Sequence, residues 1–271
     1  MRRLPTAAIV LIFISRLVNA DDIPKTLEAA RAATCKPFTG PTTHGVDTTT
    51  LTNKLVCGYQ GWFNTPDDGA GRGWVHWTKH RGDMADGNAK VDLWPDMSEL
   101  TPAERFATGF KLPDGKPADV FSSFNRLTVL RHFNCMREYG IDAVFVQRFA
   151  GGVRDPRFVY HNNTVLAHCR EGANLNGRGY VVMYDLSGMG PDQMDRVMDD
   201  WCSLKLRMKI TDDPAYLRNH GQPLVAVEGL VLAMTANTRL TIAGSWWSSS
   251  RTTQKPAGAR SCLACQPTGG S

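Results

Sequence analysis

Apolar and polar positions change rhythm along this chain, and the changes mark its elements. From Val120 onward, short apolar runs alternate with segments of helical spacing. Val120–Phe124 reads as a short strand. Arg126–Tyr139 repeats apolar residues on neighbouring turns, at Leu127, Leu130, Phe133 and Met136, and stops at Gly140. That spacing predicts a helix with a glycine terminator. Ile141–Val146 is almost continuously apolar, as expected of a strand in a buried parallel sheet. A helix over Arg157–Glu171, a strand over Tyr180–Tyr184, a helix starting at Pro191 and running toward Met208, and a strand over Leu224–Val227 complete the series. Proline suits the first turn of that last helix. With one more strand near Val56, five strands alternate with helices, which predicts an α/β fold around a parallel sheet.

The first part of the chain is patterned differently. Residues 21–50 carry a short helical pattern over Thr26–Ala33 and then a Thr-rich linker. Leu55–Trp77 (LVCGYQGWFNTPDDGAGRGWVHW) joins a short apolar run to a turn-rich loop closed by Trp74, His76 and Trp77. A strand thus delivers aromatic and hydrogen-bonding groups to a loop. Flat apolar rings beside polar groups suit a sugar, which has a C–H face and a rim of hydroxyls; the plainer alternative is an aromatic core edge under a solvated loop. Ser98–Pro102 looks like a loop entering a short helix, and Lys111–Lys116, with Pro113-Asp114-Gly115, reads as a turn.

In barrels of alternating strands and helices, sites are built where strands end and βα loops begin. At the strand ends stand Tyr59 and Trp62, then Gln147 and Arg148, then Tyr184 and Asp185. With Trp74, His76 and Trp77 they form the candidate substrate-binding set. Asp185 alone would more simply be a loop cap. Other constellations are weaker. His76 and His80 have zinc-helix spacing but sit among Gly and Trp without the glutamate of that motif. Asp67-Asp68-Gly69 lacks calcium-loop spacing and reads as a turn. Gly188-x-Gly190 lacks the third glycine of a dinucleotide fingerprint, and Ser187 lacks a nucleophile-elbow context. No metal and no cofactor is expected.

Composition adds context. The 271 residues carry a net charge of +5, but Lys and Arg are scattered, which argues against a nucleic-acid footprint. Residues 1–20 read as a secretory signal: Arg2 and Arg3, the apolar Ala7–Ile14, then Val18-Asn19-Ala20. The apolar run is too short to span a bilayer, so export without a remaining membrane anchor is expected. Seven Cys leave at least one unpaired if all are in the mature fold. Cys57, Cys135 and Cys202 sit in apolar patterns that suit buried thiols as well as disulfides.

Several motifs in order, GYQGWF, GWVHW, VDLWPDMSEL, YGIDAVFVQRF and GYVVMYDLSGM, resemble the glycoside hydrolase family 71/99-like proteins, an exported bacterial group often labelled xylosidase/arabinosidase-like. The resemblance covers roughly Leu55 to Gly229. It implies a (β/α)8 barrel acting on polysaccharide or glycan. The related endo-mannosidases cleave α-mannosidic bonds with retention, using two carboxylates and no metal. Glycoside hydrolysis needs two carboxyl groups flanking one bond, and the resemblance implies that pair late in the barrel, in a short acidic run. No such run follows Gly229, so no catalytic residue can be assigned by matching. Glu228 stands at a strand end, but the resembled pattern there is Trp-Gly rather than Glu-Gly.

The chain therefore divides into a signal (1–20), a linker (21–50), a partial barrel (51–229) and an aberrant tail (230–271). The tail, with Trp246-Trp247-Ser248-Ser249-Ser250, has no helix or strand period where a helix and then a strand are due. Permitted codon choices let a shifted frame read there as a capped amphipathic helix and then a buried strand, so a frameshift near Val227–Leu230 is expected, with Cys262-x-x-Cys265 an accident of it. On this reading the chain is a truncated, inactive glycosidase. A non-catalytic exported carbohydrate-binding or interaction protein is the alternative. The nucleotide sequence past Gly229 tests the frameshift: codons unable to give those shifted peptides would refute it.

Overall fold

The computed structural model describes residues 23–190 and 193–228. The signal segment, Pro191, Trp246–Ser250 and the Cys262/Cys265 pair lie outside them.

Helix α1 (Leu27–Thr34) is capped by the Thr26 hydroxyl, which accepts from Ala29 N. Strand β1 (Val56–Tyr59) follows, and then a long segment leads to α2 (Arg126–Glu138). Asn125 caps α2 by accepting from Leu127 N and Thr128 N. Strand β2 (Ala143–Phe149) enters α3 (Pro156–Asn176), which has Asp155 as N-cap, Pro156 in its first turn and the left-handed Gly177 at its end. Strand β3 (Gly179–Asp185), α4 (Met194–Leu206), a short antiparallel pair β4 (Arg218–Asn219) and β5 (Gln222–Pro223), and β6 (Ala226–Glu228) complete the order. Among the described residues no helix is long and apolar enough to cross a membrane.

The sheet has four strands, β1-β2-β3-β6, all parallel. Chain order equals spatial order, and each crossover contains one of α2, α3 and α4. Crossovers of one hand stack their helices on one face. That face holds the main core: Phe133 of α2, Leu166 and Cys169 of α3, and Val197 and Leu204 of α4 pack with Val144, Val146, Tyr180, Val182 and Tyr184. The opposite face has a smaller apolar core, where Ala143, Val181 and Leu217 meet Val56, Phe145 and Ala226.

The strand expected at Val120–Phe124 does not join this sheet. β1 pairs directly with β2, Val56 opposite Ala143, so no slot remains between them. Val120 instead makes an isolated antiparallel bridge to Phe106. It belongs to a second small core, with Trp77 and Met84 buried among Phe63, Trp74, Trp94 and Phe110. An irregular segment of this length is uncommon unless it folds on itself or serves function; here it does fold on itself. Its end is pinned to α2 by the fully buried Glu104 carboxylate, which accepts from Arg131 Nε at 2.8 Å and Nη2 at 2.7 Å. The Thr-rich stretch also has a place: Thr43 N bonds Asn174 O, Val46 N bonds Gly177 O, and Thr42 Oγ1 bonds Asn174 Oδ1. It straps the end of α3. A side chain on Gly45 would meet the Gly177 carbonyl at 2.4 Å.

One polar network ties the layers together. Arg148 of β2 reaches Asp200 of α4 through Nε and Nη2, both at 2.7 Å, and Nη2 also donates to Asn163 Oδ1 of α3 at 2.8 Å. Tyr184 OH of β3 donates to Asp200 Oδ2 at 2.6 Å. Asn163 Nδ2 in turn bonds Thr34 Oγ1 of α1. Arg148 and Asp200 are both buried. Burial alone would lower the Arg148 pKa, but Asp200 outweighs it and the value is raised.

Removing one partner of a buried pair strands the other charge, at a cost of about 3–5 kcal/mol. R148A should lose that much in urea unfolding, and a loss comparable to an exposed substitution would contradict the network's role. Burial also depresses three histidines on the helix side, His132 and His168 to about 4 and His161 to about 3. Their unfolded value is about 6.5, so unfolding takes up protons as pH falls. Stability should be full above about pH 6.5 and decline toward pH 4, at up to about 1.4 kcal/mol per pH unit for each proton. Urea titrations across that range check the slope, and H161F should flatten it.

Candidate functional site

Side chains alternate between the two faces of a strand, and this decides which expected residues meet. Arg148 and Tyr184 lie on the helix face with Val146 and Val182 and are closed into the network above. Tyr59 lies on that face too. It packs on Phe133 and its OH lies 2.9 Å from His132 Nδ1. These three leave the candidate cleft, because an odd step along a strand reverses the face. Gln147 and Asp185 stay on the opposite face. Gln147 Nε2 donates to Asp185 Oδ2 at 2.7 Å, and Ser187 N donates to Oδ1 at 2.8 Å. Burial would raise the Asp185 carboxyl, but the hydrogen bonds from Ser187 and Gln147 outweigh it and hold it below the usual range. Asp185 is therefore a carboxylate at neutral pH.

Asp185 has an in-register neighbour that sequence reasoning set aside. Glu228 pairs with it across β3 and β6, on the same face and at the carboxyl end of the sheet. Neighbouring strands lie ~4.8 Å apart. Glu228 is exposed, and its backbone carbonyl accepts from Leu186 N.

Aromatic rings gather beside these carboxylates. Trp62 lies 4.7 Å from the Phe149 ring and 5.2 Å from His76, and His76 stacks on Phe149 with an interplanar angle of 7°. Phe149 is the last residue of β2, two positions beyond Gln147, so the period of the strand could have identified it. The loop that presents Trp62 and His76 is stitched by Asp68. Its carboxylate accepts from Asn64 Nδ2, Thr65 N, Ala70 N and Ser122 Oγ. The Asp67-Asp68-Gly69 turn is thus a structural hub. Gly61 permits the close entry: a Cβ there would lie 2.6 Å from Val165 of α3. Trp77 is 2 % exposed, inside the loop core, with Nε1 donating to Phe121 O; it supports the wall from behind.

His76 occupies a left-handed backbone, φ 62°, uncommon for a residue with a side chain. Such strain collects at functional positions. Burial first, then Lys90 and Arg72, push its pKa down to about 4, so the imidazole is neutral at ordinary pH. It is not on a helix, and among the described residues no group of three His, Cys, Asp or Glu could hold a metal. Beyond His76 lies an open cavity of about 720 Å³, with Trp74 and Phe158 in its wall. The nine expected residues thus sort into a cleft face (Trp62, His76, Gln147, Asp185), an adjoining cavity (Trp74), and supporting positions (Tyr59, Trp77, Arg148, Tyr184).

No family model matches the chain, and no curated protein does so at a significant level. Among solved structures, the chain is similar to the GH99 endo-alpha-mannosidase from Bacteroides thetaiotaomicron. A complex of that protein with bis-tris propane gives a TM-score of 0.39 and 15% identity, covering 66% of this chain and 42% of the other. A second structure of it gives a TM-score of 0.39 and 19% identity, covering 66% and 45%. The chain spans under half the length of these structures.

Proposed function

We propose that the carboxyl-end face of this sheet is the saccharide cleft of an exported glycoside-hydrolase-like barrel, of the 71/99 type that the sequence motifs resemble. The observation that carries the reading is the Trp62–His76–Phe149 ring group beside the face that holds Gln147, Asp185 and Glu228. Stacked rings accept the apolar face of a sugar, and the strand-end polar groups meet its hydroxyls. Asp185 and Glu228 supply two carboxyl groups at the level where such barrels do chemistry. The ionised Asp185 suits a nucleophile or a stabiliser of positive charge, with Glu228 as the second carboxyl group.

A second reading, a non-catalytic carbohydrate-binding protein, is favoured by one fact. Asp185 is 6 % exposed and already accepts from Gln147 and Ser187, which restricts its approach to an anomeric carbon.

Retention on immobilised mannan and xylan, measured together with reducing-sugar release, tests both. W62A should weaken retention by about tenfold or more, the effect of losing an aromatic anchor. Unchanged retention would count against both readings. Release by the parent chain that D185N abolishes, with binding kept, establishes the hydrolase; retention without release establishes the binding protein.

A further inference from the structure

We propose that the saccharide held here carries acidic groups, carboxylate or sulfate, and that the cavity beyond His76 is an anionic subsite. This rests on the saccharide reading of the cleft and names the substrate class for it.

The cavity is walled by Arg72, Lys79, Arg81 and Arg157, with Asp83 and Asp155 as its acids. The two acids offset half of that formal charge and leave a net positive wall. The Asp155 carboxylate is occupied in capping α3, accepting from Arg157 N at 2.8 Å and Phe158 N at 3.1 Å. Among the described residues, the side chains of Lys79, Arg81 and Arg157 make no ion pair with any carboxylate, Asp83 and Asp155 included. Unpaired like charges around a concavity focus their field into it and repel one another until an anion arrives.

The wall is also held in shape. Arg72 is fixed between Asn64 Oδ1, at 3.0 Å, and the face of Phe158, at 5.1 Å. The loop carrying Lys79 and Arg81 is closed by Asn88: its side chain accepts from His80 N and donates to the carbonyls of His80 and Asp83, while Lys79 N bonds Asn88 O. The backbone that carries Lys79 and Arg81 is therefore a braced turn.

The cavity continues the ring group. His76 lines it and stacks on Phe149, and Phe158 lines it and contacts Phe149 at 6.4 Å. A chain with one sugar on Trp62 and Phe149 would pass His76 and Phe158 into this basic cavity. A neutral glycan leaves those cations without a partner. A volume of about 720 Å³ falls in the range of ordinary small-molecule sites.

Affinity electrophoresis of the full chain through gels containing polygalacturonate, a sulfated galactan or neutral mannan provides the test. At low salt one or both acidic polymers should retard the chain about tenfold more strongly than mannan. Which of the two does so tells uronate from sulfate. The preference should collapse at high salt and in K79E/R81E, whose positions are exposed and outside the ring group. W62A should weaken retardation by every polymer. Equal retardation by mannan and the acidic polymers would overturn the inference and leave the saccharide reading standing. No retardation by any polymer would remove both. Equal retardation by polyphosphate, unaffected by W62A, would also overturn it, showing a surface that attracts any polyanion.

Discussion

The bidentate pair of Arg148 and Asp200 is the contact on which the rest of the structure depends. It joins β2 to α4, draws in β3 through Tyr184 and α3 through Asn163, and reaches α1 through Thr34. A buried ion pair is a poor source of net stability compared with apolar packing. Its geometry is specific, however. Guanidinium and carboxylate meet in a planar fork, and each remaining lone pair and N–H seeks a partner. A one-residue slip of β2 would carry Arg148 to the other face and leave Asp200 buried without its cation, bonded only to Tyr184. The pair thus favours the register that sends Gln147 and Phe149 to the cleft.

That division of labour explains how much of the molecule was legible in its sequence. Helix α2 was readable because its spacing and the terminating Gly140 agree; α3 was expected over Arg157–Glu171 and runs on to Asn176, because the chain does not turn left-handed until Gly177. Strands β2 and β3 were readable as apolar runs. Which of their polar residues face the cleft was not, because a strand covered on both faces is apolar throughout and its alternation is hidden. Gln147 and Arg148 look alike in sequence and lie on opposite sides of the sheet. So do Asp185 and Tyr184. The pattern Ala143, Phe145, Gln147, Phe149 would have separated the first two and added Phe149.

The segment between β1 and α2 was the least legible part. It has almost no regular secondary structure, so periodicity says little about it. Its order comes from side chains: Asp68 gathering four donors, Glu104 bound to Arg131, and rings packed around Trp77. Val120 and Phe121 are apolar for that core and not for a sheet, which is why a strand pattern misleads there. In sequence they cannot be told from strand residues, since both environments exclude water equally.

The candidate cleft has two walls of different character. At the strand ends the groups are acidic, Asp185 and Glu228. Across the rings the cavity wall is basic, with Arg72, Lys79, Arg81 and Arg157. His76 stands between them, held in a left-handed backbone so that one ring serves both the stack on Phe149 and the cavity lining. Its neutrality matters to that position. An imidazolium there would add to the basic wall and would have to be desolvated against Trp62, whereas the neutral ring stacks without that cost. The carboxylates and the cations are therefore kept apart by uncharged aromatic surface. Opposite charges in direct contact would neutralise each other; separated by a ring group, each keeps its own field.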